Sequence, residues 1–495
     1  MLFNTNNVKP IKSFIFLFVV GTMLFLTALY FPKDGIKISD GFTLKFADGD
    51  ALFDKQGLKI KDVEAFLRQY ETPIDSTAIK DSLKRAELEY RKAMLRIQWP
   101  NGNRQKINGF FESLESLKNG KAGNKVRVMH YGDSQIEVDR ITRYFRNELQ
   151  KEYGGSGPGL IPAIEGIPSS AVVTESSDNW YRFTLFGQRD SNILHTRYSP
   201  MGSMAMFEYP LADSLNSDTL VKQAWIRIQP SRIGFNRVKK FTRITLYFGY
   251  APNDCVINTF ENDSLIRFDR IEAFEGFKKL KWNFKTTPKD FKIEIISRKS
   301  PEFYALSLES SKGVIVDNIA MRGSSGTLFK KMYKPQFRQF IKEQPIKLFL
   351  LQYGGNTVPY IDSEKEALQY GSWFKAQLEY LQSIKPDAAI IVIGPSDMAL
   401  KTDNNFATYP YLENVRDVLK NAAFETGCGF WDLYEVMGGK NSMTSWVESN
   451  PPLAGKDYVH FTHRGTRKVS ELLYRALMQD REEWKIENEQ LSMNN

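Results

Sequence analysis

The stretch VRVMHYGDSQIEVDRI, residues 126–141, decides the fold class, because a strand pattern gives way to a helical pattern within it. The apolar run 126–131 ends abruptly at the turn Gly132-Asp133-Ser134. After this turn, apolar residues recur with helical spacing on one face: Val138, Ile141, Phe145 and Leu149. A strand, a tight turn and a helix in this order open an α/β unit, so the segment predicts a sheet covered by helices.

The α/β pattern resumes only after a long interval. Four more apolar runs suit a parallel sheet that is covered on both faces, and helical stretches lie between them: 313–320, 346–353, 388–394 and 429–433. A last amphipathic helix is predicted over 464–482. The predicted α/β domain therefore comprises residues 106–165 and 313–485, followed by a polar tail at 486–495.

The interval, residues 166–312, has the pattern of β strands instead. Short runs with period-two alternation follow one another. In RITLYFGY (243–250), Ile244 and Leu246 point to one face and Thr245 to the other. This pattern predicts an all-β sandwich or jelly roll inserted into the α/β domain.

The N-terminal residues carry a membrane signal. Residues 13–31, SFIFLFVVGTMLFLTALYF, contain no charged side chain, and ~20 apolar residues are enough to cross a bilayer as a helix. Lys9 and Lys12 precede the run, which favours an N-terminus inside the cytoplasm. We therefore expect a transmembrane helix as a membrane anchor over 1–32, a helical connector over 33–105, and the rest of the chain in the periplasm. A cleaved signal peptide is the alternative.

Composition excludes several classes of protein. With 495 residues, of which 42% are hydrophobic, the chain is long enough for two folded units and is not a disordered protein. The net charge of +9 comes without a long Lys/Arg run, so no nucleic-acid partner is expected. Cys255 and Cys428 fall in different predicted domains, so we expect neither a disulfide framework nor a thiolate metal site.

Polar residues follow the predicted strands at the edge where their carboxyl ends meet, and ligands of open α/β sheets bind at this edge. Ser134 ends the first strand, and Asp457 and His460 precede the last helix. An imidazole held by a carboxylate can take the proton of a serine hydroxyl. We therefore interpret Ser134 as a nucleophile, His460 as its base and Asp457 as the residue that orients the imidazole.

Acyl transfer also needs hydrogen-bond donors for the negative charge that develops on the attacked carbonyl oxygen. The candidates are the backbone N–H groups of Ser134 and Gly326 and the side-chain amide of Asn356. Loss of one such donor typically costs ~3–4 kcal/mol of barrier. A helix that begins at Ser134 would add a favourable dipole.

The histidines also allow other interpretations. His463 is expected to face solvent or to cap the last helix, and His195, in the insert, has no evident partner in the sequence. His460, His463 and Asp457 could instead bind a metal, but the sequence offers no evident fourth ligand. We therefore expect no metal and no cofactor.

Four short motifs resemble, in order, the four blocks of the SGNH (GDSL-like) hydrolases: GDS at 132–134, SSG ending at Gly326, GGN at 354–356 and DYVH at 457–460. With a β-sandwich inserted after the first block, the chain resembles the peptidoglycan O-acetylesterases and their O-acetyltransferase relatives. The resemblance implies a flavodoxin-like parallel sheet and an inserted module similar to a carbohydrate-binding jelly roll.

The resemblance also implies roles for individual residues. Ser134 would be the nucleophile, His460 the base and Asp457 its partner, while Ser134 N–H, Gly326 and Asn356 would form the oxyanion hole. Two positions depart from the family pattern: Thr357 follows Asn356 where an aspartate is usual, and Gln135 replaces the leucine of GDSL. Both departures argue against a lipase-like member.

The sequence thus predicts a membrane-anchored, extracytoplasmic serine esterase. It would act on O-acetyl groups of an acetylated polysaccharide or peptidoglycan of the cell envelope, through an acetyl-enzyme intermediate. Two alternatives remain: an O-acetyltransferase that uses the same residues, and a non-catalytic glycan-binding scaffold. Protein partners cannot be read from the sequence.

Overall fold

The structure is a computed structural model, and it describes residues 15–16, 18–23, 26–27, 36–39, 42–44, 92–120, 125–198, 200–210, 220–402 and 405–493. The chain divides into two units, residues 1–60 and residues 61–495. The first unit contains the short strands β1 (Ile36–Ser39) and β2 (Phe42–Leu44), which pair antiparallel.

Most residues of the predicted membrane anchor and connector lie outside the part of the chain that the structure describes. Positions 13–14, 17, 24–25 and 28–31 of the apolar run lie outside the described residues, as do residues 45–91 of the connector. Of the helices that are described, none has both the length and the apolar character needed to cross a membrane. The anchor therefore stays a prediction.

The second unit contains a long series of helices and strands. In chain order they are α1 (Gln105–Lys118), β3 (Lys125–Gly132), α2 (Thr142–Tyr153), β4 (Gly159–Pro162), β5 (Val172–Ser176), β6 (Tyr181–Thr184), β7 (Ser203–Met206), β8 (Lys222–Pro230), β9 (Arg243–Ala251), β10 (Cys255–Glu261), β11 (Ser264–Ile271), β12 (Phe274–Asn283), β13 (Phe291–Ser297), β14 (Glu302–Glu309), β15 (Gly313–Ala320), α3 (Lys334–Glu343), β16 (Ile346–Gln352), α4 (Glu364–Ile384), β17 (Ala389–Ile393), β18 (Ala399–Lys401), β19 (Phe406–Thr408), α5 (Leu412–Glu425), β20 (Gly429–Trp431), α6 (Leu433–Met437), α7 (Ser442–Glu448) and α8 (His463–Met493).

Five strands form a parallel sheet in the order β15-β3-β16-β17-β20. Counted along the chain, this is the order 2-1-3-4-5 of flavodoxin-like folds, so the predicted α/β class and sheet type are confirmed. The sheet is apolar on both faces because helices cover both. Val126 and Val128 of β3 pack in the cluster with α1, α2 and α8, whereas Met129 and Tyr131 pack in the cluster with α3, α4 and α5.

The insert is an antiparallel β-sandwich. One sheet has the order β11-β10-β13-β8-β5, and the other has the order β12-β9-β14-β7-β6, with β4 paired to β14. The core between the sheets is built from alternating residues, such as Ile226 and Ile228 of β8 facing Leu246 and Phe248 of β9. Most of these strands lie within the stretch predicted to be all-β, whereas its assignment as an inserted jelly-roll domain stays a prediction.

Three predicted boundaries differ from the structure. The sandwich begins with β4 at Gly159, inside the stretch assigned to the α/β domain, because this short strand has no alternation but pairs with β14. Residues assigned to the connector already pack on the α/β domain: Trp99 is buried and donates from Nε1 to Asp480 Oδ2 of α8 at 2.7 Å. Helix α8 continues into the predicted tail as far as Met493, and its residues from 485 onward are exposed.

A buried ion cluster joins the sandwich to the parallel sheet. Arg127 of β3 is 1% exposed and donates from Nη1 to Asp317 Oδ1 of β15 at 2.6 Å. Its Nη2 contacts Glu309, the last residue of β14 in the sandwich, which Lys125 also contacts at 2.5 Å. Since a buried charge must be paired, the three strands are held in register here.

Candidate active site

Ser134 lies directly after β3, at the carboxyl edge of the parallel sheet. The turn favours a glycine before it, because a Cβ at Gly132 would lie 3.0 Å from Ile136 Cδ1 and 3.1 Å from the carbonyl oxygen of Gln352. Asp133 stabilises the turn, because its Oδ1 accepts a hydrogen bond from the Gln135 N–H at 2.9 Å. Burial raises the pKa of Asp133 to about 6.

The segment after Ser134 differs from the predicted helix. Residues Ser134–Asp139 form a short 3-10 turn, interrupted by the left-handed backbone of Val138 at φ 53° and followed by Asp139 at φ 63°. The long helix α2 begins only at Thr142. The dipole of a long helix therefore does not start at Ser134, and that expectation was wrong.

The three residues of the predicted relay are in contact. Ser134 Oγ lies 2.8 Å from His460 Nε2, and His460 Nδ1 lies 2.8 Å from Asp457 Oδ2. The other carboxylate oxygen, Asp457 Oδ1, accepts backbone N–H bonds from Val459 at 3.1 Å and His460 at 3.0 Å. The backbone of the 457–460 loop therefore holds the Asp457 carboxylate in the position from which this carboxylate orients the His460 imidazole. The geometry is that of a serine–histidine–aspartate relay, and the catalytic roles stay a prediction.

The ionisation of Asp457 suits the orienting role. Partial burial raises the pKa of this carboxyl, but the hydrogen bonds from the backbone and side chain of His460 and from Val459 N–H outweigh it, so the pKa lies below its usual value. An ionised carboxylate holds the Nδ1 proton of the imidazole and stabilises the imidazolium that forms when Ser134 gives up its proton.

The three predicted oxyanion donors are not all brought together. Asn356 lines the same cavity as Ser134, and its Nδ2 also reaches the Ser324 carbonyl oxygen at 3.3 Å. Gly326 is not among the residues that line this cavity, and its N–H donates to Ser324 Oγ at 3.1 Å. Its role in the structure is steric, because a Cβ there would lie 2.6 Å from the ring of Tyr353.

Gln135 and Arg140 are functional candidates that the sequence interpretation missed. Gln135 Nε2 donates to the carbonyl oxygen of Val459 at 2.7 Å, so it ties the Ser134 turn to the His460 loop. Arg140 Nη2 donates to the carbonyl oxygen of Ser134 at 2.6 Å. A polar residue directly after the candidate nucleophile was the available signal for Gln135; no sequence pattern marks Arg140.

His463 is the first residue of α8 and is exposed, as expected. Within the part of the chain that the structure describes, no three His, Cys, Asp or Glu side chains converge as metal ligands. Cys255 and Cys428 are both buried and free.

A cavity of about 240 Å³ opens at the relay. Ser134 and His460 both line it and both are only half-buried, so a substrate carbonyl can reach them. Its other walls come from the ends of β16 and β17 and from the following loops, and they include Asn356, Tyr360, Pro395 and Tyr409. This is the edge of the sheet at which α/β folds bind ligands.

The strand order of the parallel sheet, with Ser134 after its first strand, agrees with the fold that the resemblance to the SGNH hydrolases predicts. Among solved structures, the chain is similar to one described as "Peptidoglycan O-acetylesterase in action, 5 min". The likeness has a TM-score of 0.58 and 20% sequence identity, and covers 76% of this chain and 96% of that one. A scan against protein-family models and a search of curated proteins each found no match.

Two further solved structures give weaker likenesses. An acetyl xylan esterase, AlAXEase, is 17% identical over 33% of this chain and 81% of that chain, with a TM-score of 0.26. A family two carbohydrate esterase from Clostridium thermocellum is 9% identical over 55% of this chain and 97% of that chain, with a TM-score of 0.21.

Proposed function

We propose that this protein is a serine esterase that removes O-acetyl groups from a cell-envelope polysaccharide such as peptidoglycan. The observation that carries the proposal is the contact chain from Ser134 Oγ through His460 to Asp457 within an open cavity. The fold shared with a peptidoglycan O-acetylesterase supports the choice of substrate. The small cavity of about 240 Å³ favours a short acyl group.

The reaction would proceed in two halves. Ser134 Oγ attacks the acetyl carbonyl carbon while His460 Nε2 takes the hydroxyl proton. The tetrahedral adduct collapses, the sugar oxygen leaves with the proton from His460, and an acetyl-enzyme remains. Water then attacks this ester, again giving its proton to His460, and acetate leaves as Ser134 regains its hydroxyl.

The oxyanion of the adduct needs donors at the cavity wall. The Ser134 N–H and the Asn356 side-chain amide are the candidates that line it. A preorganised donor of this kind contributes ~3–4 kcal/mol to lowering the barrier. Gly326 would contribute indirectly, because its lack of a side chain lets Tyr353, which also lines the cavity, pack closely.

The proposal is tested with the purified full chain. We expect acetate release from O-acetylated peptidoglycan and from 4-nitrophenyl acetate, with a loss of about 10³-fold or more in Ser134→Ala. Ser383→Ala is the matched control, since Ser383 lies on α4, does not line the cavity and bonds only its own helix. Equal rates in wild type and Ser134→Ala would leave only a glycan-binding scaffold.

An O-acetyltransferase would use the same acetyl-enzyme, with a sugar hydroxyl in place of water. Including an unacetylated oligosaccharide in the assay separates the two activities. Acetyl transfer with negligible acetate release would replace the esterase by the transferase.

The proposal includes anchoring by residues 13–31 and a periplasmic catalytic unit, supported by the uncharged N-terminal run. Cell fractionation with protease treatment of spheroplasts tests it. Recovery in the membrane fraction with protease-accessible Ser134-containing peptides is expected, and recovery in the cytosol would contradict it.

A further inference from the structure

A small hairpin lies beside the relay. Its antiparallel strands, β18 and β19, follow β17 along the chain. The residues at its two ends, Met398 and Tyr409, line the cavity at Ser134, and the Tyr409 N–H donates to the Met398 carbonyl oxygen at 3.0 Å. The hairpin therefore contributes one wall of the candidate active site, and no step of the proposed reaction uses its other residues.

The hairpin contacts the 457–460 loop at Tyr458, which stands between the carboxylate and the imidazole of the relay. The ring of Phe406, in β19, stacks on the ring of Tyr458, with the ring centroids 3.6 Å apart and the ring planes 8° apart. From β18, the Ala399 N–H donates to the Tyr458 carbonyl oxygen at 3.1 Å. The hairpin thus holds the loop through both the side chain and the backbone of Tyr458.

The backbone conformation of Tyr458 depends on such contacts. Its φ of 56° lies in the left-handed region, which a bulky side chain rarely adopts, and a residue stays there only where its surroundings impose it. The Tyr458 N–H donates to the Gly455 carbonyl oxygen at 3.0 Å, and the Gly455 N–H donates to the His460 carbonyl oxygen at 2.7 Å. Because this turn closes on His460, a change of backbone conformation at Tyr458 would displace the imidazole.

The hairpin has an anchor that does not involve the stacked rings. Asp397 is 0% exposed, and its carboxylate accepts hydrogen bonds from Thr408 Oγ1 at 2.8 Å and from the Met443 N–H at 2.7 Å. Asn441 Oδ1 accepts the Thr408 N–H at 3.0 Å. These bonds tie β19 to the start of α7, so we expect the hairpin and the cavity wall to stay in place when the Phe406 ring is removed.

The stack does more than bury apolar surface. Phe406 and Tyr458 are both only half-buried, so neither ring simply fills the core. Aromatic pairs prefer definite relative orientations, and a nearly parallel stack therefore restricts where the loop can lie. A displacement of about 1 Å near a catalytic group can lower a rate about 10²-fold, so a restriction of this kind affects the reaction.

We propose that Phe406 is a positioning residue for the base of the relay. Its ring holds Tyr458 in the left-handed conformation, and the loop then presents His460 Nε2 to Ser134 Oγ at 2.8 Å. Phe406 is not among the residues that line the cavity, so it acts on the reaction through the loop. The inference rests on the proposed esterase function and extends it to a residue outside the substrate cavity.

Steady-state hydrolysis of 4-nitrophenyl acetate by the purified full chain tests the proposal. Phe406→Ala is expected to lower kcat about 10- to 100-fold with KM within about twofold of wild type, because the base moves while the cavity wall stays. Phe406→Tyr keeps a flat ring and is expected to retain most of kcat.

Phe284→Ala is the matched control for this truncation. Phe284 is a half-buried residue of the sandwich that packs edge-on against Phe291 and does not line the cavity, so its removal should leave kcat unchanged. Wild-type kcat in Phe406→Ala, or equal losses of kcat in Phe406→Ala and Phe284→Ala, would overturn the proposal.

Two further comparisons separate positioning from a general loss of folded protein. In a His460→Ala background, Phe406→Ala is expected to cause no further loss of the residual rate, because the ring acts only through His460. Tyr458→Gly suits the positive φ but offers no ring, so it should lower kcat as Phe406→Ala does, whereas Tyr458→Phe should retain kcat. Full kcat in Tyr458→Gly, or an equal loss from Phe406→Ala in both backgrounds, would overturn this inference alone. Absence of ester hydrolysis by the wild type would overturn the proposed function and this inference with it.

Discussion

Two regions of the molecule place an imidazole beside a carboxylate, and only one of them lies at the cavity with the serine. In the loop before α8, His460 Nδ1 lies 2.8 Å from Asp457 Oδ2. In the sandwich, His195 Nε2 lies 3.2 Å from Glu302 Oε1, so this histidine does have a partner, which the sequence could not reveal. The pair alone therefore does not identify a catalytic base.

The second ring nitrogen separates the two regions. His460 Nε2 faces Ser134 Oγ at 2.8 Å, at the carboxyl edge of the parallel sheet. His195 Nδ1 instead accepts the Arg197 backbone N–H at 3.3 Å, so both of its nitrogens are occupied by the fold. A general base needs one nitrogen held and the other open to a nucleophile.

The carboxylates differ in the same way. Glu302 is buried, and besides His195 it contacts the Arg197 guanidinium and accepts from Tyr304 OH at 2.6 Å. Burial raises the pKa of Glu302, but the hydrogen bonds from His195 and Arg197 lower it by more than burial raises it. The pKa of Glu302 therefore lies below its usual value. The side chain of Asp457 is more exposed, and it contacts the imidazole ring of His460. We infer that Glu302 stabilises the sandwich whereas Asp457 orients a base.

The largest expected contrast comes from the two histidines themselves. His460→Ala should lower kcat/KM for 4-nitrophenyl acetate by about 10⁴-fold or more, because Ser134 loses its base. His195→Ala should stay within a few-fold of wild type, and His463→Ala is a second control three residues from His460. Comparable losses in His460→Ala and His195→Ala would remove the distinction between the two regions.

The carboxylates give the next contrast. Asp457→Asn should lower kcat by about 10³-fold while the free energy of unfolding changes little, because the amide no longer holds the correct tautomer of His460. Glu302→Gln should do the reverse: it leaves a buried pair broken and should cost about 3 kcal/mol of unfolding free energy with the ester rate retained. Steady-state kinetics and denaturant melts on both variants measure this. A rate loss without destabilisation in Glu302→Gln would contradict it.

The sequence could predict the relay because strand ends and residue spacing determine it. Ser134 follows a complete apolar run, and Asp457 stands three residues before His460 in one loop. Parallel strands bring their carboxyl ends to one edge, so these distant positions had to converge.

The sequence could not predict features that depend on tertiary contacts. The direction of the Gly326 N–H depends on its bond to Ser324 Oγ, which no pattern announces. The late start of α2 follows from the positive φ of Val138, a conformation that its side chain disfavours. The register of the sandwich on the sheet depends on Arg127 and Glu309, which are remote in sequence.

Asp133 is a third carboxyl to compare with Asp457 and Glu302, because it is buried and directly precedes Ser134. Its pKa is raised from 3.8 to about 6, so the folded protein binds this proton more tightly than the unfolded chain does. That stabilisation is complete below about pH 4 and is lost as the pH rises through about 6. Asp133→Asn keeps an acceptor for Gln135 N–H but never ionises. Between pH 4 and pH 7 it should gain about 3 kcal/mol in unfolding free energy relative to wild type, measured by urea melts. A pH-independent difference between the two proteins would contradict the shift.

The smallest expected effect concerns the link between the serine turn and the histidine loop. Gln135→Ala removes the bond from Nε2 to the Val459 carbonyl oxygen, so the 457–460 loop is held less closely to Ser134. A lost hydrogen bond of about 1 kcal/mol and a small displacement of His460 should lower kcat about 10-fold with little change in KM. Gln223→Ala, whose Nε2 bonds Glu294 on the sandwich surface, is the matched control. If both variants keep the wild-type kcat, Asp457 positions the His460 imidazole without Gln135. The role of Gln135 is then structural, like that of His195 and Glu302 in the sandwich.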